Sequence, residues 1–228
     1  MISLPYTQDT SKSRYYQGMI RLIGGIDQLA FLREDYMLRL LDNAQVKKGA
    51  AFTLKELMQI ALPRQHHADF LNIMTRLAAQ SVFMRGYRLT CPVCDLTLWY
   101  ELSAVQEMTP CRGCLTPFQL PLDLPFAYRL NHLFCMGLNQ GAASVLLTLL
   151  WLHEHYEKIT WEACVIIQQT EVDLIVQADD ELLLIECKNA LTDDHTSQIE
   201  RVKALAQAIG GKFMLAALDH QLHLSLLE

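Results

Sequence analysis

The chain has 228 residues, a net charge of −6 and a pI near 5.7; 51% of its side chains are hydrophobic and 19% are charged. That is a globular composition with enough apolar surface for a sizeable core, and it excludes extensive disorder beyond the first dozen residues, where TQDTSKS is polar and unpatterned. The acidic balance counts against a free-standing DNA-binding module, which is usually basic, though not against local basic patches or a metal site built from carboxylates.

No basic segment followed by an apolar run opens the chain, so no secretory signal is expected. The most apolar stretch, ASVLLTLLWL at 143–152, lies between Gln140 and the His153-Glu154-His155 run and is too short to span a bilayer. The expectation is a soluble, cytoplasmic protein without a membrane partner. In that setting the pairing of four of the seven cysteines as two CxxC motifs favours metal over disulfides. The scattered Cys135, Cys164 and Cys187 sit in apolar surroundings and read as core thiols.

Residues 14–86 read as mostly helical. Met19, Ile20, Leu22, Ile23, Ile26, Leu29 and Leu32 recur at near-helical spacing, with Gly24-Gly25 as a break. Thr53 is an N-cap for LKELMQIAL, Pro63 ends that helix, ADFLNIMTRLAAQSV forms another, and FMRGYRLT is extended. Helix, turn, helix and strand is a winged-helix pattern, with the helix at 68–80 as the DNA-contacting element. A small helical scaffold or protein-contact domain fits the same pattern, and that helix offers Arg76 alone as a cation. Lys47, Lys48, Arg64, Arg85 and Arg88 could line a phosphate-facing edge or an ordinary solvated face.

In residues 88–124, Cys91 and Cys94 lie in CPVC, Cys111 and Cys114 in CRGC, with sixteen residues between the pairs. Two tight turns giving two thiolates each supply a tetrahedral zinc site, and Gly113 eases the second turn. With all four positions filled by protein, the zinc is structural. Trp99, Tyr100 and Phe118 are expected to cover the thin core of this ribbon.

From 125 the chain is strongly periodic. A helix is expected at about 135–157, with strands near 162–168, 172–177, 181–187, 212–217 and 221–226. Asp193 or Asp194 caps a helix running to about Ile209, and Gly210-Gly211 stops it. Residues two apart on a strand project from one face, about 6.6 Å apart. Glu186 and Lys188 therefore point together, Cys187 points toward the core, and Asp173 on the neighbouring strand reaches the same edge. Two carboxylates suit a hard divalent ion, Mg²⁺ or Mn²⁺, with the Cys187 carbonyl as a third oxygen. Such an ion polarises a phosphodiester and acidifies its bound water, while Lys188 orients that water and offsets developing charge. His195 reads as an exposed residue at a helix start and Glu171 as a solvated acid.

The stretch EVDLIVQADDELLLIECKN, followed by a helix with Gln198 and by IGGKF, resembles the PD-(D/E)xK, or restriction-endonuclease-like, superfamily. It is similar to nuclease domains of CRISPR ancillary and prokaryotic defence proteins. The resemblance covers about residues 130–228, with Asp173 matching the first acid and Glu186-Cys187-Lys188 the (D/E)xK. It implies an αβββαβ core, Mg²⁺-dependent nuclease activity, a defence or mobile-element setting, and Gln198 beside the catalytic residues. A helix glutamate that often adds a ligand in such families is replaced here by Gln140 and Ser144.

The expected architecture is thus α+β with an α/β core: a helical, winged-helix-like region at 1–87, a four-cysteine zinc ribbon at 88–124 and a nuclease-like domain at 125–228. The leading functional expectation is cleavage of nucleic acid, DNA foremost, delivered by a partner such as an ATPase or a second copy in a homodimer. The competing one is a catalytically degenerate zinc-ribbon adaptor that assembles a partner complex.

Overall fold

The structure is a computed structural model that describes residues 7–8, 10–63, 66–190, 196–218 and 224–227. Its elements in chain order are β1 (Thr7–Gln8), α1 (Thr10–Ile23), a 3-10 turn (Asp27–Arg33), α2 (Asp35–Asp42), α3 (Ala44–Lys47), β2 (Ala51–Thr53), α4 (Leu54–Ala61) and α5 (His67–Ala79). There follow β3 (Phe83–Thr90), β4 (Thr97–Glu101), β5 (Met108–Pro110), β6 (Pro117–Gln119), β7 (Phe126–Leu130), α6 (His132–Asn139) and α7 (Ala142–His155). The chain ends with β8 (Ile159–Ile167), β9 (Thr170–Ala178), β10 (Glu181–Lys188), α8 (Thr196–Ala208), β11 (Lys212–Leu218) and β12 (Leu224–Leu227). The fold is mixed α+β. It divides into two compact units, Met1–Leu38 with Met136–Glu228, and Arg39–Cys135. The segment limits drawn from the sequence, at 87/88 and 124/125, both fall inside the second unit, the first of them within β3.

The first unit is built on a six-stranded sheet ordered β1-β8-β9-β10-β11-β12. Strands β8, β9 and β10 are antiparallel neighbours joined by short turns. At the β9–β10 turn Asp179 adopts φ 49, and its carboxylate accepts a bond from the Lys158 amide at 2.8 Å. Strand β11 runs parallel to β10, which requires a crossover, and α8 supplies it. The sheet is covered on both faces. On one, Leu184 and Ile175 pack with Val202, Leu205 and Ala206 of α8. On the other, Cys187 meets Thr148 of α7 at 3.7 Å. Double coverage explains why β10 reads as a near-continuous apolar run rather than an alternating one. Helix α7 is buried almost all round, with nine of its fourteen residues in the core.

Two expectations are corrected here. The helix expected at 135–157 is two helices, broken at Gly141, whose φ of 85 suits glycine alone. Within the polar TQDTSKS segment, read as unpatterned, Thr7–Gln8 pairs with β8, and α1 begins at Thr10. Tyr16, Met19 and Ile23 bury one stripe of α1, with Met19 Sδ set so closely on Gly137 that no Cβ fits there. The strands expected near 172–177, 181–187 and 212–217 form as Thr170–Ala178, Glu181–Lys188 and Lys212–Leu218, and the helix expected to run to about Ile209 is described over Thr196–Ala208. The proposed caps Asp193 and Asp194, and His195, lie outside the described residues.

The second unit has a four-stranded sheet ordered β2-β7-β3-β4 and a small hairpin of β5 and β6. A capping box opens α4: the Thr53 hydroxyl accepts from the Glu56 amide at 3.3 Å, and the Thr53 amide donates to the Glu56 carboxylate at 2.6 Å. Strands β3 and β7 pair directly although β4, β5 and β6 lie between them in sequence. The cysteine segment is therefore an insertion between two sheet neighbours.

Gly86 of β3 sits where Trp99 crosses the sheet, and a Cβ there would fall onto the Tyr100 carbonyl oxygen and within 2.8 Å of the Trp99 ring. Gly86→Ala should therefore destabilise the protein by about 1–3 kcal/mol, the usual cost of overpacking. Urea denaturation checks this; an unchanged midpoint would show that the β4 backbone at Tyr100, as well as the Trp99 ring, shifts without cost to admit the methyl group.

Candidate functional site

The four paired cysteines converge. Their sulfurs all lie within 4.8 Å of one another, with Cys91–Cys114 at 3.7 Å and Cys94–Cys111 at 3.6 Å. Four sulfurs each about 2.3 Å from one ion stand about 3.8 Å apart in a tetrahedron, so this cluster could hold a metal ion such as zinc. The two knuckles repeat one backbone pattern. The Cys91 amide donates to the Leu96 carbonyl and the Cys111 amide to that of Thr116, each at 3.0 Å, while Asp95 and Leu115 take positive φ. The Val93 and Gly113 amides donate to the sulfurs of Cys91 and Cys111. Bonds from the Thr116 side chain and backbone bring the Cys114 thiol down to about 6, favouring the thiolate a metal needs. Tyr100 and Phe118 line the small core as expected. Trp99 does not: it lies over Gly86 and under the Arg129 guanidinium, because alternation on β4 sends it to the other face.

The second cluster lies at one edge of the six-stranded sheet. Lys188 Nζ bonds Glu186 Oε1 and lies 3.4 Å from Asp173 Oδ2, so one ammonium joins both carboxylates. The Cys187 amide donates to the same Asp173 oxygen at 2.9 Å, which fixes that carboxylate against the end of β10. Glu186 is only 2% exposed, whereas the side chains of Asp173 and Lys188 retain 22% and 17%. Glu186 Oε2 is buried and, among the described residues, has no hydrogen-bond partner. Burial first, then the charge of Asp173, pushes Glu186 up to about 7 against the pull of Lys188. Burial lowers Lys188, but Asp173 and Glu186 outweigh it and the ammonium ends above its usual value.

Other expected residues fall nearby in different roles. Gln198 does not touch the trio; its amide donates to the Glu171 carbonyl at 2.6 Å and accepts from Arg201 at 2.7 Å. The bond to Glu171 ties α8 to the start of β9, two residues from Asp173. Cys187 brings its backbone N–H to the site, while its buried thiol faces Thr148 and is raised well above its usual value by burial. Ser144 and Gln140 stand at the start of α7. The Ser144 amide donates to the Asn189 side chain at 3.2 Å, and the Gln140 carbonyl accepts from the Tyr16 hydroxyl at 2.7 Å. Glu171 is not simply solvated, since it pairs with Lys12 at 2.9 Å.

Sequence reading missed Lys12, Tyr16 and Asn189. The first two lie more than a hundred residues away, Lys12 in the unpatterned TQDTSKS segment and Tyr16 at the start of the helical region; Asn189, adjacent to Lys188, was the one with a local signal. In the second unit, three of the cations considered for a phosphate edge are engaged: Lys47 with Asp42 at 2.8 Å, Arg88 with Glu56 at 2.9 Å, and Arg85 over the Phe126 ring at 4.8 Å. Arg64 lies outside the described residues. Among those residues, no single helix is long and apolar enough to cross a membrane. No family model, curated protein or solved structure matches the chain.

Metal analysis should find one tightly held ion per chain, and Cys111→Ser should release it and lower the Tm; full ion content in the variant would exclude the four-sulfur site. For Glu186, a folded value above its usual 4.5 means that its stabilising contribution is complete below about 4.5 and is lost as pH rises through about 7. In metal-free protein, Glu186→Gln should gain up to about 3 kcal/mol on the parent between pH 5 and pH 8. A pH-independent difference would show that the carboxylate is not held in a desolvated site.

Proposed function

We propose that the chain is a metal-dependent nuclease that hydrolyses phosphodiester bonds of nucleic acid, DNA foremost, through Asp173, Glu186 and Lys188. The observation that carries this reading is a buried Glu186 carboxylate, with one oxygen unpartnered among the described residues, sharing a single ammonium with a partly exposed Asp173. Desolvating a charge costs several kcal/mol that its ion pair need not recover, whereas a leucine at that position would contribute about 1.5–3 kcal/mol. A carboxylate at the end of an apolar strand thus opposes stability and fits chemistry better.

Topology supports the same reading. The order α7-β8-β9-β10-α8-β11, with β11 parallel to β10, is the αβββαβ arrangement implied by the resemblance to the PD-(D/E)xK superfamily. Asp173 and Glu186 would hold Mg²⁺ or Mn²⁺, hard ions that take oxygen ligands. Bound there, the ion would polarise the phosphate and acidify an attacking water. Lys188 then has two tasks: neutralising the acids before substrate arrives, and stabilising charge on the phosphorane afterwards. The Cys187 amide holds Asp173 in place for both.

In the second unit, helices α3, α4 and α5 with the order β2-β7-β3 support a winged-helix reading in which the cysteine ribbon is inserted in the wing. Zinc is the ion that four thiolates at this spacing select, and its role is structural. A prokaryotic defence setting, an ATPase or other protein partner and a homodimer belong to this proposal through the resemblance. An assembly role without catalysis is the second reading. It is favoured by Gln140 and Ser144 where a helix acid would complete the ligands.

The test is cleavage of labelled single- and double-stranded oligonucleotides with Mg²⁺ or Mn²⁺. Asp173→Ala and Lys188→Ala should each reduce the rate by about 10²–10³. Metal-dependent cutting that survives both changes, or no cutting of any substrate by the parent, would sink the nuclease reading.

A further inference from the structure

We infer that Lys12 of α1 is a phosphate-binding residue, engaging the backbone phosphate next to the one hydrolysed. This rests on the nuclease reading for its position, but the binding it describes is separately measurable. Lys12 Nζ pairs with Glu171 Oε1 at 2.9 Å. Glu171 and Asp173 lie two residues apart on β9, on one face and about 6.6 Å from each other. Lys188 is held at Asp173 and Lys12 at Glu171. The strand thus anchors two ammonium groups side by side, on carboxylates two residues apart.

Three further observations point the same way. The first unit carries nine Lys and Arg against eighteen Asp and Glu, so a polyanion can dock on it only where cations gather. They gather at this edge: Lys12, Lys188 and, through Gln198, Arg201. Second, Lys12 comes from a firmly seated helix. Tyr16, one turn on, is 3% exposed and donates to the Gln140 carbonyl, and Met19 and Ile23 are fully buried. Third, the side chains of Lys12 and Glu171 are 32% and 45% exposed. A pair this open contributes at most about 1 kcal/mol to stability, so structure alone does not require it, and a phosphate oxygen can replace Glu171 at little cost. Lys188, by contrast, is enclosed with its two acids.

The test is the affinity of the full-length chain for a fluorescein-labelled oligonucleotide in Ca²⁺, over a range of salt concentrations. Lys12→Met should weaken binding about 5- to 10-fold and reduce the slope of log Kd against log salt by about 0.7–0.9, the loss of one phosphate contact. Lys12→Arg should restore both. Glu171→Gln, which frees Lys12, should tighten binding at least about threefold and serves as an independent variant if Lys12→Met folds poorly. During turnover the Lys12→Met defect should fall on KM rather than kcat. Unchanged salt slope and affinity in Lys12→Met, or no tightening in Glu171→Gln, overturns the proposal. Lys12-dependent binding by a chain that never cleaves would leave the phosphate site standing and remove the nuclease reading.

Discussion

A single carboxylate constrains the first unit. Glu186 lies near the end of one of the two central strands of the sheet, where its neighbours Leu184 and Ile185 are wholly buried. An acid can remain there only if positive charge reaches it, and the strand itself provides that charge two residues on, in Lys188. Everything nearby follows from keeping this arrangement open at one side. Asp173 is drawn to the same ammonium and anchored by the Cys187 amide, and α8 packs on the sheet through Val202, Leu205 and Ala206. Asn189 then ties the end of β10 to the first turn of α7.

In the second unit the constraint is different. The ribbon has a core of five buried residues, two of them the cysteines Cys91 and Cys111. Such a core cannot offset the entropy of ordering two long loops, so the cross-link through four sulfurs takes the place of apolar area. The near-identical hydrogen bonding of the two knuckles shows that each half is shaped to present sulfur pairs toward one point. The β3–β7 pairing closes the sheet beneath the insertion, which lets the ribbon hang from a complete sheet without interrupting it.

What was legible in the sequence is what local chemistry determines. Cys-x-x-Cys turns, the Thr53 N-cap and the β9–β10 hairpin are all set by residues a few positions apart. The face shared by Glu186 and Lys188 follows from the period of a strand. What was hidden depends on long-range pairing: α1 joining the C-terminal sheet, β7 returning to β3 past the ribbon, and Lys12 meeting Glu171 across 159 positions. Periodicity reports that a stripe is apolar, not which sheet will cover it. Trp99 was misassigned for a related reason. Its bulk suited a thin core, but strand alternation and the bare backbone of Gly86 gave it a place on the opposite face.

Charge is the last link between the parts. The second unit carries ten Lys and Arg against seven Asp and Glu, the first nine against eighteen, so the acidity of the whole chain belongs to the unit with the carboxylate trio. Acids that attract a divalent ion also repel a polyanion, and the two demands conflict in any site of this kind. Under the proposed nuclease reading, two features would reduce the conflict. Within the first unit, Lys12, Lys188 and Arg201 lie around the acids. The second unit carries a modest positive excess of its own. A net charge of −6 therefore argues against nucleic acid only when it is averaged over a chain that does not distribute it evenly.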